Sequence, residues 1–310
     1  MKQTITDRPP HAVEFSFGGL DSSPAALEAA HAVILPAPYD GTTSYRPGTR
    51  FGPHALVDAS RNMELYDEVL GAIYPSGLYT LPEMEPVAEA EKMVKRVEEA
   101  AEWALEQGKT LITVGGEHSL TTGAVRAYAR RLPKLSVLHL DAHGDLRFEY
   151  HGTRYSHACV MRRVREIVSV AAQAGQRSIS EEEAELITKE RLAVFSARRV
   201  REMNGTYAPV VDALTDDVYI TVDLDVIDPS ECPGVGTPEP GGLTWFEITD
   251  LVAAVARRHR IVGFDIMELM PIGGDTRSEF LAARLLYRMW GWTLVSQGRH
   301  PGPAADRPLA

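Results

Sequence analysis

Leu138-His139-Leu140-Asp141-Ala142-His143-Gly144-Asp145 decides the reading, because an apolar run of strand type, Leu135 to Leu140, ends in three metal-ligand side chains set two residues apart. Strand alternation would send Asp141, His143 and Asp145 to one side. Further on, Tyr219-Ile220-Thr221-Val222-Asp223-Leu224-Asp225 repeats the device, with two carboxylates at the same spacing after a second apolar run. Burying four carboxylates without a compensating cation is prohibitively costly, so the two clusters together predict a bound metal pair. The competing reading makes these residues hydrogen-bonded parts of sharp turns. It suits Asp228, which precedes Pro229, better than it suits Asp223 or Asp225.

Outward from these clusters, strand-like and helix-like segments alternate, the pattern of a parallel sheet covered by helices on both faces, and hence an α/β fold. Strands are expected around 33–35, 110–114, 135–140, 192–196, 218–222 and 261–266. Helices are expected from Pro53, where proline suits a first turn, and over 86–107, 119–131, 157–174, 180–191, 244–258 and 278–294. The Gly/Pro-rich passage Pro36 to Pro53 is long enough to be a functional loop. No repeat or linker divides the chain, so a single domain over 1–310 is expected, with its core at about 31–295 and a frayed, proline-rich tail over 298–310. In open α/β sheets ligands collect beyond the carboxyl ends of strands. Glu117 and His118, the Asp141 triplet, the Asp223 pair and Glu268 all fall at such ends.

Composition narrows the classes. A chain of 310 residues with 44% hydrophobic content can bury a substantial core. Its net charge of -11 leaves no basic stripe for phosphates, which argues against nucleic acid, and would favour a cationic substrate. Two cysteines, Cys159 and Cys232, are too few for a disulfide framework and wrongly spaced for a zinc cluster, so a reducing compartment fits. Met1 to Pro10 is polar and no stretch approaches a membrane span, so a cytoplasmic location without membrane association is expected.

Asp141, Asp145, Asp223 and Asp225 carry four negative charges, and His118 and His143 are neutral donors, so the six balance two divalent cations. An oxygen-rich set with two imidazoles suits manganese better than a closed structural zinc site, although zinc, cobalt and iron remain open. Two adjacent ions sharing one water lower its pKa enough to supply hydroxide at neutral pH. That is a hydrolase nucleophile.

Gly115-Gly116-Glu117-His118, Asp141-Ala142-His143-Gly144-Asp145, Asp223-Leu224-Asp225-Val226-Ile227-Asp228-Pro229 and Asp265-Ile266-Met267-Glu268 together resemble the ureohydrolase signatures of arginases and agmatinases. Arg46-Pro47-Gly48-Thr49-Arg50-Phe51-Gly52-Pro53 is similar to that family's N-terminal loop, and the likeness runs from about Pro36 to Arg288. The resemblance implies a three-layer α/β/α fold and two Mn2+ per subunit. His118, Asp141, Asp145 and Asp223 would hold one ion, and Asp141, His143, Asp223 and Asp225 the other. It further implies hydroxide attack on a guanidinium carbon, His157 as the shuttle that protonates the leaving amine, Glu268 as the carboxylate that holds the guanidinium, and a homo-oligomer, trimer or hexamer.

For the substrate, Leu146 to His157 resembles the agmatinase version of the active-site loop, which points to agmatine, giving putrescine and urea. Arg147 and Arg154 keep guanidinobutyrate or another guanidino acid open, and an arginase-type activity beside it. A dinuclear phosphatase lacks its Gly-Asn-His-Glu type motif here, and a one-zinc deacetylase would not need both Asp223 and Asp225. A metal-dependent binding protein without catalysis is the remaining non-enzyme reading.

Overall fold

The computed structural model describes residues 15–301; the readings made above for Met1 to Pro10 and for the tail beyond 301 lie outside them. In chain order the strands are β1 (Ala32–Ala37), β2 (Tyr66–Asp67), β3 (Gly71–Ala72), β4 (Leu78–Thr80), β5 (Thr110–Gly115), β6 (Leu135–Leu140), β7 (Val170–Gln176), β8 (Ala193–Ser196), β9 (Asp217–Asp223) and β10 (Arg260–Met267). The helices are α1 (Pro24–Ala29), α2 (Gly52–Ser60), α3 (Ala90–Glu106), α4 (Thr121–Arg131), α5 (Val160–Val164), α6 (Glu181–Glu190), α7 (Ala197–Glu202), α8 (Ala208–Val211), α9 (Trp245–Arg258) and α10 (Arg277–Ser296). Eight strands form one sheet in the order β4-β1-β5-β10-β9-β6-β7-β8, every neighbouring pair parallel, and β2 and β3 make a separate small hairpin.

Period-two alternation splits the apolar residues of each strand between two cores. Val33, Leu111, Val137 and Tyr219 face the layer of α3, α4 and α5, whereas Ile34, Ile112, Leu138 and Ile220 face that of α2, α9 and α10. The sheet is therefore sandwiched, and the expected three-layer α/β/α fold is the one observed. Strands buried on both faces read as continuous apolar runs, which is why β5, β6, β9 and β10 stand where the sequence places them.

The helix ends follow local chemistry. Ser180 and Thr244 cap α6 and α9 in reciprocal capping boxes with Glu183 and Glu247. Pro53 sits in the first turn of α2. The segment from Pro86 starts its helix later than expected, at Ala90.

One expectation is corrected. The stretch 157–174 is not a single helix: a short 3-10 turn (His157–Cys159) and α5 end by Val164, and Val170–Gln176 is β7, paired with β6 and β8. Its alanines and glutamines carry little strand propensity, and sheet pairing overrides it. Within β7, Gly175 has a φ of +108°, and a Cβ there would lie 2.5 Å from Val226 and 2.9 Å from the Asp141 carbonyl oxygen. Helix α1, strand β4, the β2-β3 hairpin, α7 and α8 are further elements beyond those expected. No helix among the described residues is long and apolar enough to cross a membrane.

Candidate metal centre

The carboxyl ends of β5, β10, β9 and β6 are consecutive along the sheet, and they bring together side chains spread from His118 to Glu268. Beyond β5 the chain turns sharply at Gly116. A Cβ at Gly116 would fall 1.8 Å from the Tyr39 carbonyl oxygen, so only glycine allows this turn to pack on the 38–53 loop. His118 follows at the entry to α4. Its Nδ1 lies 3.1 Å from Asp141 Oδ2, 3.3 Å from Asp223 Oδ2 and 3.6 Å from Asp145 Oδ2.

Strand β6 ends at Leu140, so Asp141, His143 and Asp145 are not aligned by pleat alternation as expected. They lie on an irregular turn. Asp145 takes a left-handed conformation (φ 52°), and backbone amides orient the carboxylates: His143 N–H donates to Asp141 Oδ1 (2.5 Å), Ala142 N–H to Asp225 Oδ1 (3.0 Å) and Asp225 N–H to Asp223 Oδ1 (2.9 Å). His143 Nδ1 sits 2.9 Å from Asp225 Oδ2 and 3.5 Å from Asp141 Oδ1. All six candidate ligands thus converge, with Asp141 between the two histidines.

The electrostatics are those of a crowded anionic pocket. Burial first, then the charges of Asp141 and Asp223, pushes Asp145 well above the usual carboxylate range; burial, Asp225 and Asp141 do the same to Asp223. Burial alone would depress His118, but Asp141 and Asp223 outweigh it and hold the imidazole well above its ordinary value. Such a cluster draws protons or cations. His118 Nδ1 and Asp141 Oδ2 are buried and lack any aligned hydrogen-bond partner, so the donor atoms that face each other fit divalent cations rather than a hydrogen-bond network.

Several supporting residues escaped the sequence reading. Thr221 Oγ1 lies 2.7 Å from His118 Nε2 and 3.1 Å from Thr121 Oγ1, and Thr121 and Tyr219 both donate to Asp265 Oδ2 (2.9 Å each). This chain of hydroxyls ending on a buried carboxylate takes the Nε2 proton and leaves Nδ1 as the lone pair. His139, read only as part of an apolar strand, places Nε2 2.8 Å from Asp141 Oδ2. Its other nitrogen meets Gln173 Nε2 (3.0 Å), whose orientation is fixed because the same amide donates to the Gly144 carbonyl (2.9 Å). His139 Nδ1 therefore accepts, Nε2 carries the proton, and the residue offers no lone pair to an ion. Arg177 clamps the loops by donating to the carbonyls of Asp225 (2.6 Å), Glu239 (2.7 Å) and Pro240 (3.0 Å).

His157 and Glu268 line the same cavity of about 160 Å3, together with Ser44, Tyr45, Arg46, Arg147, Tyr150 and Thr237. Glu268 is left-handed (φ 65°), and its Oε1 accepts the His118 N–H (2.7 Å). Burial, then Asp223 and Glu117, pushes its carboxyl well up, so a cation beside it is welcome. His157 is partly buried, and burial first, then the neighbouring His143 and His118, push its imidazole down to about 4. Of the two loop arginines considered, Arg147 lines the cavity and stacks on Tyr150, while Arg154 pairs with Glu166 (3.1 Å) outside it. Both thiols are buried, and burial pushes Cys159 up to about 11, leaving it unreactive.

The profile of the Arginase family matches residues 30–291. The chain belongs to the arginase family. Among curated relatives, the N(1)-aminopropylagmatine ureohydrolase of Synechocystis is 39% identical over 277 residues, covering 86% of this chain and 90% of the relative. The agmatinase of Pyrococcus horikoshii is 35% identical, covering 86% and 93%. Among solved structures, the agmatine ureohydrolase of Thermoplasma volcanium superposes with a TM-score of 0.81 at 35% identity, over 88% of this chain and 93% of that one. This arginase-family chain thus groups with enzymes named for guanidine hydrolysis, in agreement with the resemblance read from its motifs.

Proposed function

We propose that this chain hydrolyses the guanidino group of a cationic agmatine-type substrate, releasing urea and the corresponding amine, with a pair of manganese ions held by His118, Asp141, His143, Asp145, Asp223 and Asp225. The observation that carries the proposal is that His118, His143, Asp145, Asp223 and Asp225 line the cavity with Glu268 and His157, and that buried Asp141 lies against both histidines behind them. When bound, the ions supply activated water and Lewis-acid stabilisation of developing charge. Glu268 accepts hydrogen bonds from the planar guanidinium and orients its carbon. His157, partly buried in the cavity lining, accepts the proton released by the attacking water and donates it to the departing amine, so that the C–N bond breaks to an amine rather than to an amide anion. Tyr45 and Tyr150 at the mouth give the aliphatic arm an apolar wall.

Agmatine and N1-aminopropylagmatine are the substrates that the relatives' names support. A second reading is favoured by one feature: Arg46 and Arg147 line the same cavity, and two guanidinium groups suit a substrate ending in a carboxylate, such as 4-guanidinobutyrate. The test is urea release by manganese-loaded protein from agmatine, N1-aminopropylagmatine, 4-guanidinobutyrate and arginine. The first two should dominate in kcat/KM. A preference for the guanidino acid installs the second reading, and no urea from any guanidine overturns the hydrolase.

A further inference from the structure

Of the six candidate ligands, Asp145 alone has a left-handed backbone, with φ 52°. A residue with a side chain stays in that region only where its surroundings hold it there. Three elements do so. Gln173 Nε2, from β7, donates to the Gly144 carbonyl at 2.9 Å, and the Arg162 N–H, from α5, donates to the Asp145 carbonyl at 3.1 Å. The Leu146 N–H donates to Glu183 Oε1, from α6, at 2.9 Å. The two peptide groups that flank Asp145 are thus tied on both sides.

Glu183 has two oxygens and two tasks. Its capping-box duty occupies Oε2, which accepts the Ser180 N–H and the Ser180 hydroxyl at 2.8 Å each. The same box on α9 shows what capping requires: Glu247 Oε2 accepts from Thr244, the side chain is 24% exposed, and Oε1 faces Arg201. In α6 the second oxygen is turned inward to Leu146 instead, and Glu183 is buried. Capping alone does not call for that burial.

We propose that Glu183 is a positioning residue for Asp145: its Oε1 fixes the Leu146 peptide and so aims the Asp145 carboxylate at the centre it shares with His118. The inference deepens the hydrolase reading and rests on it for the role of Asp145 as a metal ligand. A carboxyl oxygen accepts an N–H in either protonation state, so the clamp does not depend on the charge of Glu183. Outer partners of this kind set the orientation of a ligand and with it the affinity for the ion.

Two variants separate positioning from capping. Glu183→Met keeps the bulk and removes both oxygens, whereas Ser180→Ala removes the capping hydroxyl and leaves Oε1 on Leu146. In manganese titration calorimetry, Glu183→Met should bind the ion that Asp145 would hold about 10- to 100-fold more weakly, with kcat recovered at saturating manganese and KM unchanged. Ser180→Ala should melt at a lower temperature yet bind manganese as the native chain does. In metal-free protein, hydrogen exchange read by mass spectrometry on fragments spanning Leu146 should be faster in Glu183→Met and native in Ser180→Ala. Native manganese affinity in Glu183→Met overturns the proposal, and so does a raised KM as its only defect, which would make Glu183 a substrate contact. An equal loss of affinity in Ser180→Ala overturns it as well, by reducing Glu183 to a cap. Should Glu183→Met fail to fold, Glu183→Gln decides: its one carbonyl oxygen serves either Ser180 or Leu146, and manganese affinity and Leu146 protection must move together, so that a change in one without the other overturns the proposal. If the exchange pattern is as expected but the native chain binds no manganese, the metal reading falls and the clamp on the loop stands.

Discussion

The two halves of the candidate metal centre are unequally built. The side chain of His118 is 1% exposed, while that of His143 is 25% exposed. His118 is backed by Thr221, Thr121 and Asp265, and its backbone is pinned by Glu268. Beyond Asp141 and Asp225, the ring of His143 has the partly exposed Glu239 at 3.9 Å. Buried ligands with satisfied outer partners are rigid, and exposed ones exchange. The difference teaches that the pair should bind two ions in sequence, the enclosed half tightly and the open half loosely.

The strongest way to break that comparison is His118→Ala. Removing it strands three buried carboxylates and severs the hydroxyl chain, so both manganese affinity and the stability of the loaded protein should collapse, with activity falling more than about 1000-fold. Manganese titration followed by calorimetry and thermal melting checks this. If His143→Ala proves equally damaging to stability, the halves are not unequal. Asp225→Ala comes next. It should reduce the stoichiometry from two ions to one and abolish most urea release while leaving the melting temperature of the metal-free protein close to native. Two ions still bound would contradict its assignment to the open half.

A smaller effect is expected for Thr221→Val, which preserves volume and removes the hydroxyl under His118. Affinity at the enclosed half should weaken about 10- to 100-fold, with the open half unaffected. A biphasic manganese titration that moves only in its tight phase would sharpen the comparison. The smallest effect concerns acid stability. His157 is held near 4 in the folded chain against 6.5 in the unfolded one, so between these values the unfolded chain binds the extra proton. The native state is then at no disadvantage above pH 6.5 and loses stability as pH falls toward 4. Denaturant unfolding at pH 7 and pH 5 should show His157→Asn losing less than the native chain, by at most about 2 kcal/mol. Parallel losses in the two proteins would show that the ring titrates normally.

Much of this candidate centre was legible because its candidate ligands follow apolar runs. Val137 to Leu140 and Val218 to Val222 are buried on both faces, and a carboxylate following such a run has few structural uses. The supports were not legible for the same reason. His139 and Thr221 sit inside those runs, where pattern reading sees only strand, and their roles arise from strands that are neighbours in space. β7 was misread because Ala171, Ala172 and Ala174 favour a helix locally, and pairing to β6, invisible in sequence, decides otherwise. The surroundings of His157 are likewise built by Thr42, Ser44 and Tyr150, distant residues whose packing no local pattern announces.

The strand order carries a consequence for biosynthesis. β10, last of the strands to leave the ribosome, lies in the middle of the sheet, between β5 and β9. Until it inserts, the earlier strands can form only two separate blades, one bearing His118 and the other bearing the aspartates and His143. On the proposed ligand assignment the full six-residue set is therefore assembled only at the end of translation, and a nascent chain halted before residue 260 should lack the enclosed half that needs His118.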